Sequence, residues 1–308
     1  MNQRERERPY LMQMPAAGGR DGRRLSRRRF LKILGVTAAA GAGSYWNAFH
    51  YSPYNPVVSR RRITLEGLPE AFSGLRIAQL TDLHHSDIVP LGYLDECIEI
   101  TNALNPDLVV LTGDYVTMDE DVGRPEIRKR FVEPLESLLG RLRADLGVYA
   151  VMGNHDVAAA YHEVTEVMAR AGIPLLQDSN ILLERAGQHL PLVGLRDFGT
   201  EVIDLRKAFE GIDPAAPAIV LMHNPDLFPE MEDPRNALIF AGHTHGGQVR
   251  IPFYGALPGH IPSRYGSRYA EGLFQEGGRT MLVNRGLGVI RTRVRINCRP
   301  EIALVTLG

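Results

Sequence analysis

The sequence predicts an α/β fold in which two packed β-sheets follow a short leader. With 308 residues, 44% of them hydrophobic, the chain can bury the core of one full domain. In the first half, apolar strand-like runs alternate with helical ones, which favours parallel strands with helices outside them. The second half has shorter connections and more strand, which indicates a second sheet packed on the first.

The strand predictions rest on short apolar runs that end at Gly, Pro, Asp, Asn or His. They place strands at 62–68, 75–80, 108–112, 148–152, 181–184, 190–194, 218–222, 237–241, 248–251, 280–284 and 301–307. Helices are predicted at 91–104, 125–142, 158–171 and 205–209. The first helix shows the 3.6-residue period through Leu94, Cys97 and Ile98, and Asn105-Pro106 ends it. Residues 252–278, rich in Gly, Pro, Tyr and Arg, are predicted to be irregular.

The leader carries a sequence motif of its own. Ser26-Arg27-Arg28-Arg29-Phe30-Leu31-Lys32, followed by the apolar run 33–43, resembles the twin-arginine export signal S-R-R-x-F-L-K. The resemblance implies a partner, the twin-arginine export machinery, and a location outside the cytoplasm, in the periplasm or cell envelope. The run is too short and too rich in glycine for a comfortable bilayer span, which needs about 20 apolar residues.

The fate of this leader stays open. Ala40-Gly41-Ala42 offers a cleavage site, whereas Tyr45 and Trp46 would suit a membrane interface if residues 30–48 stay attached as an anchor. We therefore divide the chain into residues 1–50, a signal or membrane anchor with its linker, and residues 51–308, the main domain.

Charge and cysteine content exclude two classes of protein. Residues 1–32 carry ten basic and three acidic residues, and the whole chain has a net charge of −1, so the rest of the chain carries about −8. An acidic domain is an unsuitable partner for nucleic acid, because binding to the duplex depends on basic surface. Cys97 and Cys298 are too few for a disulfide framework, although a single bridge between them stays open alongside two free thiols.

Most of the conspicuous polar residues of the interior stand where predicted strands end. They lie in five stretches: Asp82-Leu83-His84, Gly113-Asp114, Gly153-Asn154-His155-Asp156, His223, and Gly242-His243-Thr244-His245. Carboxylate oxygens and neutral imidazole nitrogens bind hard and borderline divalent ions, and the absence of cysteine from these stretches argues against a structural zinc site. Asp82 and His84, like His243 and His245, are two residues apart and would share a face of an extended strand.

The number of donors indicates two ions. Asp82, His84, Asp114, Asn154, His223, His243 and His245 make seven groups, whereas one catalytic ion usually takes three protein ligands and water. Asp114, alone at its strand end, is the natural bridge because a carboxylate has two oxygens. Ligands without thiolate admit Mn, Zn, Fe or a mixed pair.

This ordered set resembles the calcineurin-like metallophosphoesterase superfamily, with its pattern D-x-H, G-D, G-N-H-[DE], H and G-H-x-H. The match covers about residues 75–308, and Met222-His223-Asn224-Pro225 and Asn284-Arg285-Gly286 look like the exported YkuE-like branch. The resemblance implies a four-layer α/β/β/α sandwich, two mixed sheets with helices on both outer faces. It also implies that Asp82, His84 and His245 hold one ion, that Asn154, His223 and His243 hold the other, and that Asp114 bridges them.

Two residues are expected to act in catalysis rather than as ligands. In the family, the histidine that matches His155 stabilises the transition state or protonates the leaving oxygen, which typically contributes about 10²- to 10⁴-fold. Asp156, beside it, is expected to help orient the ring. The mechanism expected is hydrolysis of a phosphoester, most simply a phosphodiester, by a hydroxide that bridges the two ions.

Two other functions compete with this one, and several residues carry weaker signals. His85, Arg285 and the other histidines carry weaker signals, and His85 is expected to face away from the metals. A pyrophosphohydrolase of UDP-2,3-diacylglucosamine, linked to lipid A synthesis, is the main alternative, although export counts against a cytoplasmic nucleotide substrate. A metal-stabilised envelope binding protein without turnover would be expected to lack part of the set. The substrate, a small-molecule or lipid-linked phosphoester, would be selected by residues 115–130 and 252–278.

Overall fold

The computed structural model describes residues 26–117, 125–232, 235–257 and 261–308. Residues 1–25 of the leader, and residues 118–124 and 258–260 of the two segments predicted to select the substrate, lie outside the described residues. By their contacts, the described residues up to Ser44 belong to one unit and those from Tyr45 to Gly308 belong to another.

In chain order the elements are α1 (Arg27–Trp46), β1 (Val57–Ile63), β2 (Arg76–Leu80), α2 (Leu91–Ala103), β3 (Leu108–Thr112), α3 (Pro125–Phe131), α4 (Pro134–Leu139), β4 (Val148–Val151), α5 (Asn154–Arg170), β5 (Ser179–Arg185), β6 (Gln188–Gly194), α6 (Leu205–Ala208), β7 (Ala218–Leu221), β8 (Ala237–Ala241), β9 (Arg250–Ile251), β10 (Gly255–Ala256), β11 (Gly272–Glu276), β12 (Arg279–Val283) and β13 (Glu301–Leu307). Short 3₁₀ helices include Pro225–Glu230 and His245–Gly247.

The leader region contains helix α1, and every residue of this helix is exposed. Within the described ranges, no helix combines the length and the apolar character that crossing a bilayer would require. The segment after α1 belongs to the larger unit. There, the backbone N–H of Arg295 donates to the carbonyl of Ala48 at 3.0 Å.

Two mixed sheets form the centre of the larger unit. The first has the strand order β1-β13-β2-β3-β4, and only the β13–β2 pair is antiparallel. The second has the order β11-β12-β8-β7-β6-β5, with antiparallel pairs at its two edges and parallel pairs between. Parallel central strands bring their carboxyl ends to one edge of each sheet, which is where the polar motifs follow.

Three apolar layers hold these sheets and the helices together. The layer between the sheets joins residues such as Ile77 and Val110 of the first sheet to Leu192 and Phe240 of the second. The outer face of the first sheet packs on α2, α4 and α5. The outer face of the second is covered more thinly, by α6, the helix Pro225–Glu230 and the loop around Tyr269. The α/β/β/α sandwich is therefore confirmed, with unequal outer layers.

Proline and glycine explain most differences from the predicted elements. The predicted helix 125–142 is two helices, because Pro134 has no N–H to continue a helix and instead begins one. The strand predicted at 62–68 lies at Val57–Ile63, since Gly67 (φ 79°) and Pro69 bend the chain after it. Strand β11, inside the segment predicted to be irregular, forms a hairpin with β12 through Gly277 and Gly278, both at positive φ.

Candidate metal centre

All seven predicted ligands lie at the carboxyl ends of strands and meet between the two sheets. Asp82 and His84 follow β2, Asp114 follows β3, and Asn154 opens α5 directly after β4. From the second sheet, His223 follows β7, and His243 and His245 follow β8. Asp82, His84, Asp114, His223 and His245 are each at most 2% exposed.

The ligand pairs converge by a different backbone geometry from the one predicted. Asp82 (φ 51°) and His84 (φ 49°) have left-handed backbone and do not lie on an extended strand. The same holds for His243 (φ 72°) and His245 (φ 51°), and also for Asp114 (φ 57°). A left-handed non-glycine residue costs of the order of 1–3 kcal/mol. Such a concentration of strained residues is typical of a functional site, where the surrounding fold holds them in place.

The first group comprises Asp82, His84 and His245, whose ligand atoms all lie within 4.8 Å of one another. The Nε2 atoms of His84 and His245 are 3.1 Å apart. His245 Nε2 is also 3.3 Å from Asp82 Oδ1. The second oxygen of Asp82 accepts a hydrogen bond from the Thr81 hydroxyl at 2.8 Å, which orients the carboxylate.

The second group comprises Asp114, Asn154, His223 and His243. His223 Nε2 lies 3.2 Å from Asp114 Oδ2, 3.2 Å from Asn154 Oδ1 and 3.1 Å from His243 Nδ1. The other nitrogen of each ring faces a carbonyl oxygen: His223 Nδ1 lies 2.7 Å from Thr112 O, and His243 Nε2 lies 2.7 Å from Pro262 O. A carbonyl can only accept, so these outer nitrogens donate, which leaves lone pairs on the inner nitrogens of neutral rings.

Asp114 lies between the two groups, as a bridging ligand should. Its Oδ2 is 3.4 Å from His84 Nε2 and 3.2 Å from His223 Nε2. Its Oδ1 accepts the N–H of His155 at 2.9 Å. Glycines make room for this arrangement, because a Cβ on Gly153 would collide with Asp114 Oδ1 and a Cβ on Gly242 would collide with Thr81 and Asp82.

These donors fit divalent cations. In neutral rings, the inner nitrogens of His223 and His243 face the oxygens of Asp114 and Asn154 with no proton to share, and four acceptors packed together repel each other. A positive ion between them removes the repulsion. Carbonyl partners on the outer imidazole nitrogens are the usual support of metal-bound histidine.

The pKa values show the same need for positive charge. Burial raises the pKa of Asp82. At Asp114, burial also favours the neutral acid, but the charge and hydrogen bonds of His223 and His84 reverse this and hold its pKa well below the usual range. At His223, burial favours the neutral ring, but Asp114 raises its pKa well above the usual value. In the absence of metal, a proton on His223 would therefore take the place of the cation.

His155 lies in the first turn of α5, half-buried, with its ring edge-on to that of His84 at a centroid distance of 4.7 Å. Burial lowers its pKa to about 4, with the charges of nearby histidines adding to the effect. The ring thus stands beside the ligands, as expected of a group that meets the substrate.

Asp156 has contacts that differ from those expected. Its Oδ2 accepts the N–H groups of Asp114 (2.7 Å) and Gly153 (3.0 Å), and its Oδ1 accepts those of Tyr115 (2.8 Å) and Val116 (3.3 Å). The carboxylate thus caps α5 and holds the loop that carries Asp114. The helix starts four residues before its predicted position because of this cap. An effect of Asp156 on the His155 ring stays a prediction.

Sequence reasoning missed the buried Arg295. Its guanidinium is fully buried and donates to the carbonyls of Arg285 (2.9 Å), Gly286 (3.1 Å) and Cys298 (3.1 Å). The loop that contains Gly286, held by Arg295, packs against the ligand Asp82. A Cβ on Gly286 would lie only 2.6 Å from Asp82 Cβ. Nothing in the local pattern around Arg295 distinguishes it from a surface arginine.

The sequence contains a signal for a second missed residue, Asp197. This acid follows β6 in the same way that the ligands follow their strands, and it is fully buried. Its Oδ2 accepts the N–H of Gly199 at 3.0 Å and the hydroxyl of Thr200 at 2.8 Å, and its Oδ1 has no hydrogen-bond partner among the described residues.

The residues with weaker signals have ordinary explanations. His85 is 5% exposed and its Nδ1 is 2.8 Å from the carbonyl of Phe131, away from the ligands, as expected. Arg285 forms an ion pair with Glu301 at 3.0 Å. Cys97 and Cys298 are buried free thiols, so the alternative of a bridge between them is wrong.

Comparison with known proteins agrees with this geometry. The family model described as calcineurin-like phosphoesterase matches residues 75–247, which is more than half of the chain. An uncharacterized metallophosphoesterase of Bacillus subtilis, YkuE, is 32% identical over 291 residues, covering 92% of this chain and 98% of its own. The phosphodiesterase YaeI of Escherichia coli is 31% identical, covering 92% and 99%.

A third relative, the UDP-2,3-diacylglucosamine pyrophosphatase LpxG of Chlamydia trachomatis, is 30% identical over 77% of this chain and 86% of its own. The family model spans all seven predicted ligands and His155, and the structure brings these residues together. The chain therefore belongs to the calcineurin-like phosphoesterase family and is a metallophosphoesterase, a hydrolase that acts on phosphoester bonds.

Proposed function

We propose that this protein is a dinuclear metal-dependent phosphodiesterase of the cell envelope. The observation that carries the proposal is the position of Asp114, whose Oδ2 is within 3.4 Å of ligand nitrogens from both groups. When bound, two divalent ions would acidify water and offset negative charge on the phosphoryl oxygens. The phosphodiester preference is supported by the likeness to the phosphodiesterase YaeI.

The protein residues have distinct tasks in this reaction. One ion would be held by Asp82, His84 and His245, and the other by Asn154, His223 and His243. Asp114 would contact both ions. The His155 ring, largely neutral at pH 7, is placed to stabilise charge on the departing oxygen by donating a hydrogen bond from its N–H group. Asp156 and Arg295 act through the backbone loops that they fix.

Hydrolysis of bis(p-nitrophenyl) phosphate, measured with the full chain and added Mn²⁺ or Zn²⁺, tests this proposal. Asp114→Asn and His223→Ala are expected to lower kcat/KM by more than about 100-fold, which exceeds what residues that only orient ligands usually contribute. The matched control is Asp145→Asn, which changes an exposed carboxylate. Near-normal turnover in either ligand variant would contradict the dinuclear assignment.

Elemental analysis of the same preparations determines the metals. We expect about two ions of Mn, Zn or Fe per wild-type chain, since the ligands are oxygen and nitrogen without thiolate. The alternative function, a metal-stabilised binding protein without turnover, predicts two bound ions and no hydrolysis of any ester.

The second candidate is a pyrophosphohydrolase, favoured by the likeness to the LpxG proteins. It would cleave a nucleoside diphosphate linked to a lipid or sugar. A UDP-sugar substrate distinguishes the two candidates, because only a pyrophosphohydrolase should release UMP from it at a rate above that of the aryl diester.

We also propose that the protein reaches the envelope by twin-arginine export, on the evidence of Ser26–Lys32. The double change Arg27→Lys, Arg28→Lys preserves charge but removes the two guanidinium groups of the motif. It is expected to leave the protein in the cytoplasm on cell fractionation, while Arg23→Lys, outside the motif, leaves export unchanged. Export of the double variant would refute this route. The membrane fraction of the same cells tests anchoring through residues 30–48.

A further inference from the structure

A cavity of about 230 Å³ lies beside the metal centre and is separate from the ligand cluster. Its wall is largely apolar and comes from the loops after β2 and β3 and from helix α3. Ile88, Val116, Ile127 and Phe131 contribute apolar surface, and the polar groups include Ser86, Asp87 and Arg291. None of these residues is among the predicted ligands.

Two contacts connect this cavity to the ligands. Thr117, in the cavity wall, has its hydroxyl 3.3 Å from Nδ1 of His84. His85, next to His84, packs edge-on against the Phe131 ring at a centroid distance of 5.4 Å. Thr117 contacts the nitrogen of His84 opposite to the one that faces the other ligands, so the cavity begins directly behind a ligand ring.

The polar groups of the cavity also indicate a ligand. The Ser86 hydroxyl oxygen is buried and has no hydrogen-bond partner among the described residues. A buried hydroxyl without a partner is costly, and a ligand carbonyl would satisfy it. Arg291 is exposed and also lines a neighbouring cavity of about 270 Å³ that reaches His245, so its positive charge is available to an anionic phosphoester.

We propose that this cavity binds an alkyl or acyl group of the substrate, which would make the natural substrate a lipid-type phosphoester. This rests on the proposed function, because the cavity selects among phosphoesters rather than performing the hydrolysis. An engineered cavity of about 150 Å³ accommodates benzene, so the space here holds a chain of about six carbons. The Ser86 hydroxyl would donate to the carbonyl of an acyl group.

A matched pair of chromogenic diesters tests the proposal with the same leaving group in both. Methyl p-nitrophenyl phosphate and hexyl p-nitrophenyl phosphate differ only by five methylenes. Each buried methylene is worth about fourfold in binding, so two that become buried suffice for a tenfold effect. For the metal-loaded full chain, we expect kcat/KM to be at least about tenfold higher for the hexyl ester.

Ile127→Glu places a charge in the cavity wall, and we expect it to bring the ratio of the two kcat/KM values close to one. The control is Val202→Glu, the same kind of change at a residue that is 89% exposed, which should keep the wild-type ratio. Ile127→Trp, which fills the cavity without adding a charge, should also abolish the preference and replaces the Glu variant if that variant does not fold.

Failure of this inference differs from failure of the proposed function. Equal kcat/KM for both esters in the wild type, with metal-dependent turnover, would overturn the cavity assignment alone. If neither ester is hydrolysed, the proposed function fails, and calorimetric titration with methylphosphonate and hexylphosphonate decides the cavity. Tighter binding of hexylphosphonate to the wild type but not to Ile127→Glu would support it, and equal affinities in the wild type would overturn it.

Discussion

At the scale of single residues, Asp156 illustrates how a buried carboxylate can hold a site without touching the reacting atoms. We predict that Asp156→Asn lowers the free energy of unfolding by about 3 kcal/mol, because the new NH₂ group faces two backbone N–H donors, and each buried donor left without an acceptor costs about 1–3 kcal/mol. Urea unfolding measures the loss, with Asp145→Asn as the exposed control. An unchanged midpoint would argue against this positioning role.

A second residue-scale prediction concerns Cys97. Burial raises the pKa of this thiol to about 12, so at pH 8 it stays protonated, and the thiolate is the reactive form. We expect Ellman's reagent to label neither cysteine in the native protein and both in 6 M guanidinium chloride. Fast labelling of Cys97 in the native state would show that α2 does not stay packed on its sheet.

The identity of the ligands could be predicted because few side chains bind divalent ions, and here these side chains stand in the order of a known family pattern. Asp82, Asp114 and His223 meet as the strand ends suggested. Their backbone geometry could not be predicted, since the left-handed conformation at Asp82 depends on contacts with distant loops. The same holds for Arg295 and for the carbonyl of Pro262, whose roles arise only when separate segments meet.

At the scale of elements, the tight turn between β4 and α5 controls Asp114. We predict that Gly153→Ala lowers metal content and kcat/KM by at least about tenfold, because its Cβ would collide with Asp114 Oδ1 and lie 2.7 Å from the Asp114 nitrogen. Gly92→Ala is the matched control. A Cβ at Gly92 in α2 would meet no atom within 4 Å, and alanine in a helix is favoured by up to about 1 kcal/mol. Equal metal content in both variants would contradict the steric argument.

Most elements could be predicted from local pattern, and the exceptions have local causes. β3, β8 and β13 have the predicted bounds, because a short apolar run between turn residues leaves little choice of where the strand begins and ends. β11 was missed since its partly exposed side chains give no apolar run, although the Gly277-Gly278 pair is a hairpin signal. The order of strands within each sheet could not be predicted at all, because pairing depends on contacts between distant segments.

At the scale of the whole molecule, metal and fold stability are coupled. The ligands come from both sheets, so ions that bind only the folded chain stabilise the sandwich as a unit. At 1,000 times the dissociation constant, one ion adds about 4 kcal/mol. We predict that EDTA lowers the melting temperature by several degrees and that Mn²⁺ or Zn²⁺ restores it. The same treatment of Asp114→Ala should have little effect, and an equal shift in that variant would indicate metal binding elsewhere.

Strand β13 lies between β1 and β2, so the strand latest in the sequence completes a sheet built from the earliest ones. The edge of β2 that pairs with β13 stays without a partner until β13 has left the ribosome. The loop that carries Asp82 and His84 starts from β2. The first sheet therefore cannot be completed before β13 has been synthesised, and contacts so distant in sequence make folding slow. A nascent chain arrested before β13 should be protease-sensitive and unable to bind metal, because the loop that carries Asp82 and His84 then starts from a strand without its neighbour.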